Sequence, residues 1–208
     1  MSQQYFAEHP AARPRPGLVH VVTPDLYLEL ETDSGVFSPA RLDAGTRLLL
    51  ETAPQPPAKG EADVLDLGCG YGPLALVLAA RSPSARVWAV DVNTRALELC
   101  ARNAARAGLP NVRCAAPGDP ALPATFDLIW SNPPIRIGKA ALHELLSAWL
   151  GRLAPGGTAY LVVQRNLGSD SLQRWLTESG WPAERIAARG GYRVLRVGGA
   201  GAADGAGR

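Results

Sequence analysis

The sequence has few cysteines, no long apolar run and no leader-like start, and each shortage excludes a class of protein. Three cysteines without a CxxC pair argue against a disulfide framework or a zinc site and favour reduced thiols. The longest apolar run, Leu74 to Ala80, is too short to cross a bilayer. The first ten residues lack the basic and apolar regions of a secretory signal. We therefore expect a cytoplasmic protein with no membrane span and no metal.

Charge of one sign is also not concentrated anywhere in the chain. The 21 basic residues nearly balance the 19 acidic ones, for a net charge of +2, and no basic block is present. Charge alone therefore does not indicate a large nucleic-acid footprint. A length of 208 residues, with 47% hydrophobic residues, is enough for one domain with a substantial core. We predict a single domain over residues 1–208.

Composition divides this domain into four segments. Prolines and arginines crowd the start of the chain, and a glycine-rich end has nothing to bury. The predicted segments are an irregular arm (1–17), an N-terminal β/helix extension (18–60), a catalytic core (61–197) and a disordered tail (198–208).

The extension contains two short β-rich stretches, VHVVT at 19–23 and LYLEL at 26–30. A helix is predicted to start near Pro39, because proline suits the first helical position. The segment QPPAKGEA at 55–62 reads as a surface linker.

From Asp63 onward, short apolar runs alternate with helical patterns. The runs predict five buried strands: VLDLG, VWAVDV, VRCAA, FDLIWSN and TAYLVVQ. Helices are predicted for PLALVLAARS, TRALELCARNAARAG, AALHELLSAWLGRL and SLQRWLTES. The third predicted helix should end at Pro155-Gly156-Gly157. Asp170 should cap the start of the fourth, which should end at Gly180.

A hairpin closes the predicted fold. ERIAAR and YRVLRV are joined around Gly190-Gly191, which is typical of an antiparallel hairpin. Strands that alternate with helices form a mostly parallel sheet with helices on both faces. We therefore predict an α/β fold of seven strands with a C-terminal antiparallel hairpin.

A glycine-rich loop, DLGCGYG at 66–72, follows the first strand of the core. Glycines at this position let the backbone turn sharply and approach a ligand. Asp91 ends the next strand, at the spacing where a carboxylate meets the ribose hydroxyls of a bound nucleoside. Asp119 lies in a later loop, either as a contact to an adenine amine or as a turn residue. The predicted cofactor-binding residues are Asp66, Gly68, Cys69, Gly70, Asp91, Val92 and Asp119.

A nicotinamide dinucleotide is the rival ligand for this loop. Its fingerprint needs a further glycine beyond the GCGYG spacing. A diphosphate also needs an open helix N-terminus, whereas Tyr71 and Pro73 crowd this one. The loop is much closer to motif I of class I methyltransferases.

The motif Asn132-Pro133-Pro134 follows the fourth strand of the core. Two successive prolines stiffen the loop and hold the Asn132 side-chain oxygen and the Pro133 carbonyl as fixed acceptors. A planar NH₂ group offers two donors to such a pair. The sequence thus predicts an N-methyltransferase with Asn132, Pro133 and Pro134 as catalytic residues, acting by orientation.

These motifs together resemble the RsmC-like small-domain methyltransferases, class I S-adenosylmethionine-dependent enzymes whose type member modifies a guanine N2 of 16S ribosomal RNA. The matching segments extend over most of residues 19–180 and are TDSGVFSPARLDAGTRLLLE, VLDLGCGYGPLAL, VWAVDVNTRALELCARNA, SNPPIRIGK, PGGTAYLVVQRNLG and DSLQRWL.

The resemblance implies a Rossmann-like class I fold and S-adenosyl-L-methionine as cofactor. It implies that the glycine loop and Asp91 hold the cofactor, while Asn132 and Pro133 hold the base amine. It also implies ribosomal RNA or the small ribosomal subunit as partner, with rRNA methylation as the function.

The substrate side is less clearly marked in the sequence. Ile135 stands where many amine methyltransferases carry an aromatic residue that stacks on the base. Phe37 is a candidate for that stacking, and a core role is the alternative. The predicted substrate-binding residues are Phe37, Ile135, Arg136 and Lys139, and Arg165 is a further candidate for a phosphate contact.

Two other functions fit the sequence as well. A small molecule or a protein glutamine amide offers the same planar NH₂ group as a base. The chain is alternatively a non-catalytic binding or assembly module on a methyltransferase fold. The presence of the glycine loop, Asp91 and Asn-Pro-Pro together favours an enzyme.

Overall fold

The computed structural model of the protein describes residue 13 and residues 15–54 and 61–198. Most of the predicted arm and tail, and residues 55–60 of the predicted linker, lie outside this part. The strands are β1 (Gly17–Val22), β2 (Tyr27–Thr32), β3 (Asp63–Leu67), β4 (Arg86–Val90), β5 (Val112–Ala115), β6 (Phe126–Ser131), β7 (Leu153–Gln164), β8 (Ala183–Arg189) and β9 (Tyr192–Gly198). The helices are α1 (Ala44–Thr52), α2 (Pro73–Arg81), α3 (Thr94–Arg106), α4 (Lys139–Leu150) and α5 (Ser169–Glu178).

The main sheet has seven strands in the order β5-β4-β3-β6-β7-β9-β8. Strands β3 to β7 are parallel, and β9 pairs antiparallel with both β7 and β8. The predicted seven-stranded α/β fold with a C-terminal hairpin is therefore confirmed. The order reverses beside β3, which places the carboxyl ends of β3, β4 and β6 around a crevice where α/β folds bind ligands.

Helices cover both faces of this sheet, as predicted. Successive residues of a strand point to opposite faces, so Val64 packs with α1, α2 and α3 while Leu65 packs with α4 and α5. Burial on both faces explains why the strands read as continuous apolar runs rather than as alternating patterns.

The extension forms a separate two-stranded hairpin and one helix. β1 and β2 pair antiparallel, close to the predicted bounds. The helix, however, begins at Ala44 and not near Pro39, so that prediction was wrong. Asp43 is the N-cap, and its Oδ2 accepts a hydrogen bond from the backbone N–H of Thr46 at 2.9 Å. A carboxylate that pairs with an otherwise unsatisfied N–H fixes the start of a helix more strongly than a proline several residues earlier.

Two helix boundaries of the core also differ from prediction. α4 ends at Leu150, and β7 starts at Leu153, so the Pro-Gly-Gly stretch lies inside the strand and does not end the helix. A register irregularity between β6 and β7 accommodates that stretch. Asp170 lies in the first turn of α5, whose N-cap is Gly168. A carboxylate there still favours the helix through its dipole.

Within the described residues, no helix combines the length and apolar character needed to cross a membrane.

Candidate active site

A cavity of about 320 Å³ opens at the carboxyl ends of β3, β4, β6 and β7. It is large enough for a nucleoside-sized ligand. Its lining combines the glycine loop and Asp91 on one side with the Asn-Pro-Pro loop on the other. The predicted cofactor-binding residues and the predicted catalytic loop therefore share one pocket.

The glycine loop supplies a smooth wall for this pocket. Gly68 and Gly70 have φ values of +76° and +56°, a backbone conformation that residues other than glycine adopt poorly. A Cβ atom added to either glycine would meet nothing within 4 Å. The backbone therefore faces open space at these two positions, as a loop that cradles a ligand must.

Asp91 lies at the end of β4, directly beside this loop. Its Oδ2 accepts a hydrogen bond from Gly70 N–H and its Oδ1 accepts one from Asn93 N–H, both at 2.9 Å. These bonds fix the carboxylate and tie it to the loop. Burial raises the pKa of Asp91 above its usual range, while the two N–H donors oppose that rise. Each oxygen keeps a lone pair for a ligand hydroxyl.

Asp66 is the fully buried carboxyl of the site. Its Oδ2 accepts a hydrogen bond from Ala75 N–H at 2.9 Å, and its Oδ1 is buried without a partner among the described residues. Burial raises the pKa of Asp66 to about 8, and the nearby Asp91 charge adds to that rise. The ionised form of a buried carboxyl is costly without a positive partner, so the site suits a ligand that brings a cationic donor, such as the amino group of S-adenosylmethionine.

Asn132 projects from the end of β6 with its amide held in one orientation. Its Nδ2 donates to Asp43 Oδ2 at 2.9 Å and to Thr46 Oγ1 at 3.0 Å. An ionised carboxylate only accepts hydrogen bonds, so the NH₂ group must face Asp43. The other amide atom, Oδ1, receives no hydrogen bond from the described residues and is available to a ligand.

Asp43, Thr46 and Tyr192 also line the pocket, and the sequence interpretation missed all three as site residues. Tyr192 donates its hydroxyl to Asp43 Oδ1 at 3.5 Å, and burial raises the pKa of Tyr192. Asp43 followed by Thr46 at the third helical position was a recognisable cap signal. Nothing in the pattern, however, connected that cap to a loop 89 residues later.

Most of the predicted site residues meet in this pocket. Phe37 is 45% exposed and lines the cavity, so it does not have a core role. Lys139 lies outside this lining, at a small neighbouring cleft. Asp119 also lies outside it, and its Oδ1 accepts from Ala121 N–H at 2.8 Å, which is a turn contact. The predicted residues that do line the cavity are Phe37, Asp66, Gly68, Cys69, Gly70, Asp91, Val92, Asn132, Pro133, Pro134, Ile135 and Arg136.

This fold and pocket define a class I S-adenosylmethionine-dependent methyltransferase. The family model described as methyltransferase small domain matches residues 27–196. The chain belongs to that family, and S-adenosylmethionine is its cofactor. When bound, the cofactor supplies an electrophilic methyl group on a sulfonium.

Relatives within the curated proteins agree with this assignment. The chain is 32% identical to the uncharacterized protein YbxB of Bacillus subtilis over 95% of this chain and 98% of that protein. It is 35% identical to ribosomal RNA small subunit methyltransferase C of Shewanella loihica, over 74% of this chain and 45% of that protein. The corresponding Salmonella choleraesuis enzyme is also 35% identical, over 82% of this chain and 49% of that protein. The chain thus spans about half the length of these two methyltransferases.

Solved structures show the same fold. A Thermus thermophilus 16S rRNA N2 G1207 methyltransferase, RsmC, in complex with AdoMet and guanosine, matches with a TM-score of 0.68 and 25% identity. The match covers 91% of this chain and 51% of that chain. A methyltransferase from Pyrococcus furiosus matches with a TM-score of 0.56 and 24% identity, over 68% of this chain and 76% of that chain. The predicted RsmC-like small-domain family is thereby confirmed.

Proposed function

We propose that this protein transfers a methyl group from S-adenosylmethionine to the exocyclic N2 amine of a guanine in small-subunit ribosomal RNA. The observation that carries the proposal is the fixed orientation of the Asn132 amide. Its donors are held by Asp43 and Thr46, so its oxygen is presented as an acceptor in the same cavity as the glycine loop and Asp91.

An exocyclic base amine suits this arrangement chemically. Its two N–H bonds lie in one plane and match two fixed acceptors, Asn132 Oδ1 and the carbonyl oxygen of Pro133. That carbonyl already accepts a hydrogen bond from Ile135 N–H at 2.8 Å and has a second lone pair for the amine. Its lone pair is delocalised into the ring, so it is a weak nucleophile. Holding both N–H donors sets the plane of the amine and directs the lone pair at the methyl group, and such orientation is a large source of rate enhancement.

The residues also account for the proton that the amine must lose. Methylation leaves a positive charge on the nitrogen, which makes the N–H bonds held by Asn132 Oδ1 and Pro133 O more acidic. Those acceptors stabilise the developing charge through charge-assisted hydrogen bonds. The proton then leaves to water at the open mouth of the pocket, and no strong base is required.

The choice of guanine in ribosomal RNA rests on the relatives. Two acceptors recognise an NH₂ group but do not by themselves distinguish guanine from adenine or cytosine. The methyltransferase C relatives are named for the small-subunit ribosomal RNA, and the Thermus structure is named for N2 of a guanine. With a net charge of +2, this chain gains little from nonspecific phosphate contacts. We therefore expect an assembled or partly assembled particle to be a better substrate than naked RNA.

Labelled methyl transfer tests the proposal directly. Small subunits, large subunits, transfer RNA and free ribosomal RNA are incubated in parallel with the protein and labelled S-adenosylmethionine, followed by nucleoside identification. We expect N2-methylguanosine in small-subunit RNA. Label only in protein or only in transfer RNA, or label recovered as methyladenosine, would contradict the proposal. No labelled macromolecule at all would favour a small-molecule substrate or a non-catalytic module.

Two arginines at the substrate side provide a test for RNA binding. Arg41 and Arg136 are exposed and make no ion pair within residues 15–54 and 61–198, and both act electrostatically on the Tyr192 hydroxyl in the pocket. By contrast, Arg81, Arg86 and Arg106 are paired with carboxylates. Unpaired basic groups beside a base-binding pocket are suited to phosphates.

Replacing both Arg41 and Arg136 with glutamine should weaken binding of the small subunit. We also expect the salt dependence of log K to decrease in slope by about 1–2, since each phosphate contact contributes about one. The measurement is a binding titration across salt concentrations, with Arg174→Gln as the control because Arg174 is exposed on α5 outside the pocket lining. An unchanged slope in the double variant would show that these residues do not contact RNA.

A further inference from the structure

Gln164 differs from the other side-chain amides in the interior of the protein. It is half-buried and lines the cavity, yet its amide has no hydrogen-bond partner among the described residues. Within residues 15–54 and 61–198, every other half-buried or buried amide is anchored: Asn93 to Gly35 O, Asn103 to Tyr71 O, Asn111 to Ala79 O, Asn132 to Asp43 Oδ2 and Gln173 to Ala183 O. A polar group in a pocket without an internal partner is suited to a ligand.

The sheet places Gln164 on the substrate side of the cavity. The glycine loop and Asp91 follow β3 and β4, Asn132 follows β6, and Gln164 ends β7, the next strand along. Asn132 therefore lies between the predicted cofactor residues and Gln164. If Asn132 holds the amine of a base and the glycine loop holds the cofactor, this order leaves β7 as the strand next to the rest of the base edge.

Strand register places Gln164 on the same face of the sheet as Tyr192, which contacts the residue that holds Asn132. Gln164 is the Cα partner of Tyr192 across β7 and β9, and such partners project from the same face of a sheet. Tyr192 in turn donates its hydroxyl to Asp43, which holds Asn132. The two amides thus lie on the same side of the sheet, at the ends of the adjacent strands β6 and β7. Tyr192 lies on β9, on the other side of Gln164, and its contact with Asp43 reaches back to Asn132.

We propose that Gln164 binds the Watson–Crick edge of the substrate base next to the reacting amine. The inference rests on the proposed function and gives it a source of guanine selectivity. Beside its N2 amine, guanine carries an N1–H donor and an O6 acceptor. The carbonyl oxygen and NH₂ group of Gln164 complement that pair. Beside its amine, adenine offers a ring-nitrogen acceptor followed by a C–H group, and cytosine offers a ring-nitrogen acceptor followed by a carbonyl acceptor. Neither base provides a donor there, so the amide oxygen of Gln164 is left unpaired.

Competition binding with two nucleosides tests this pairing. Guanosine has both groups, whereas 2-aminopurine riboside keeps the N2 amine but has an unprotonated N1 and no O6. With the protein saturated by S-adenosylhomocysteine, wild type should bind guanosine more tightly by on the order of 10-fold, because two neutral hydrogen bonds distinguish the ligands. Gln164→Met should remove this preference.

Three further measurements make the result decisive. Gln173→Met, which changes an anchored glutamine outside the cavity lining, should keep the wild-type preference. Affinity for S-adenosylhomocysteine, measured in each variant, reports whether the cofactor side of the fold is intact. If the methionine variant does not fold, Gln164→Glu retains an acceptor for N1–H and loses the donor for O6. We expect it to weaken guanosine binding by about 5-fold.

The outcomes separate this inference from the proposed function. A Gln164→Met variant that still prefers guanosine overturns the role of Gln164 while leaving guanine as the substrate. A wild-type protein that binds guanosine and 2-aminopurine riboside equally also overturns that role. A wild-type protein that prefers adenosine or cytidine to guanosine instead overturns the proposed guanine specificity itself.

Discussion

Asn132→Ala is expected to lower the turnover number by about 10²-fold or more, while the affinity for S-adenosylmethionine stays within a few-fold. The reason is that Asp43 and Thr46 hold the Asn132 NH₂ group, which leaves Oδ1 as the acceptor that we propose for the reacting amine. Single-turnover kinetics at saturating cofactor, with calorimetric titration of the cofactor, measure the two effects separately.

Asn166→Ala is the matched control, since Asn166 is an exposed asparagine outside the lining of the cavity. It should leave both the turnover number and the cofactor affinity unchanged. If Asn132→Ala instead lost cofactor binding but kept its rate at saturation, the residue would be structural and the catalytic role of the loop would be wrong. Removal of the Asn132 amide also leaves Asp43 with one hydrogen bond fewer, so the melting temperature of each variant should be compared.

Asp91→Ala is expected to weaken S-adenosylmethionine binding by about 2–4 kcal/mol, or roughly 30- to 1000-fold. The carboxylate is held by Gly70 N–H and Asn93 N–H at the position where a ligand ribose is expected. Loss of the side chain therefore removes two charge-assisted acceptors for the ligand and loosens the loop that forms the pocket wall. Isothermal titration calorimetry measures the loss.

Glu98→Ala serves as the control for Asp91→Ala. Glu98 is an exposed carboxylate on α3, the helix that follows Asp91, and it does not line the cavity. Its removal changes the net charge by the same amount as removal of Asp91 and should leave cofactor affinity unchanged. Equal affinities of wild type and Asp91→Ala would show that this carboxylate does not bind the cofactor.

Local patterns predicted the elements of the core accurately, and the failures fall at boundaries. The strands from β3 onward are short apolar runs bounded by turns, because both faces of the sheet are covered. The predicted start of α1 was wrong because it relied on the preference of proline for the first helical position. The actual start depends on a single side-chain contact, the cap at Asp43. The Pro-Gly-Gly stretch was taken as the end of α4, although a bulged strand accommodates it.

The sequence by itself determined the class of protein. The glycine loop, the spacing to Asp91 and the Asn-Pro-Pro loop are each local, because a strand that leads into a turn places all its ligand-facing groups within a few residues. Their meeting in one cavity follows from the topology of a parallel sheet, in which the carboxyl ends of neighbouring strands lie together. Sequence pattern was therefore sufficient for the fold and for the position of the pocket.

Only the tertiary structure decided which groups face that pocket from distant parts of the chain. Asp43 and Tyr192 are separated by 149 residues, and their contact depends on how α1 packs on β7 and β9. The same packing orients Asn132 and leaves Gln164, at the end of the adjacent strand, without a hydrogen-bond partner among the described residues. Hydrophobic periodicity indicates which side of a helix or strand is buried, but it does not indicate which other element packs against that side. The orientation of the two amides is a property of that packing, and it could not be predicted from the sequence pattern.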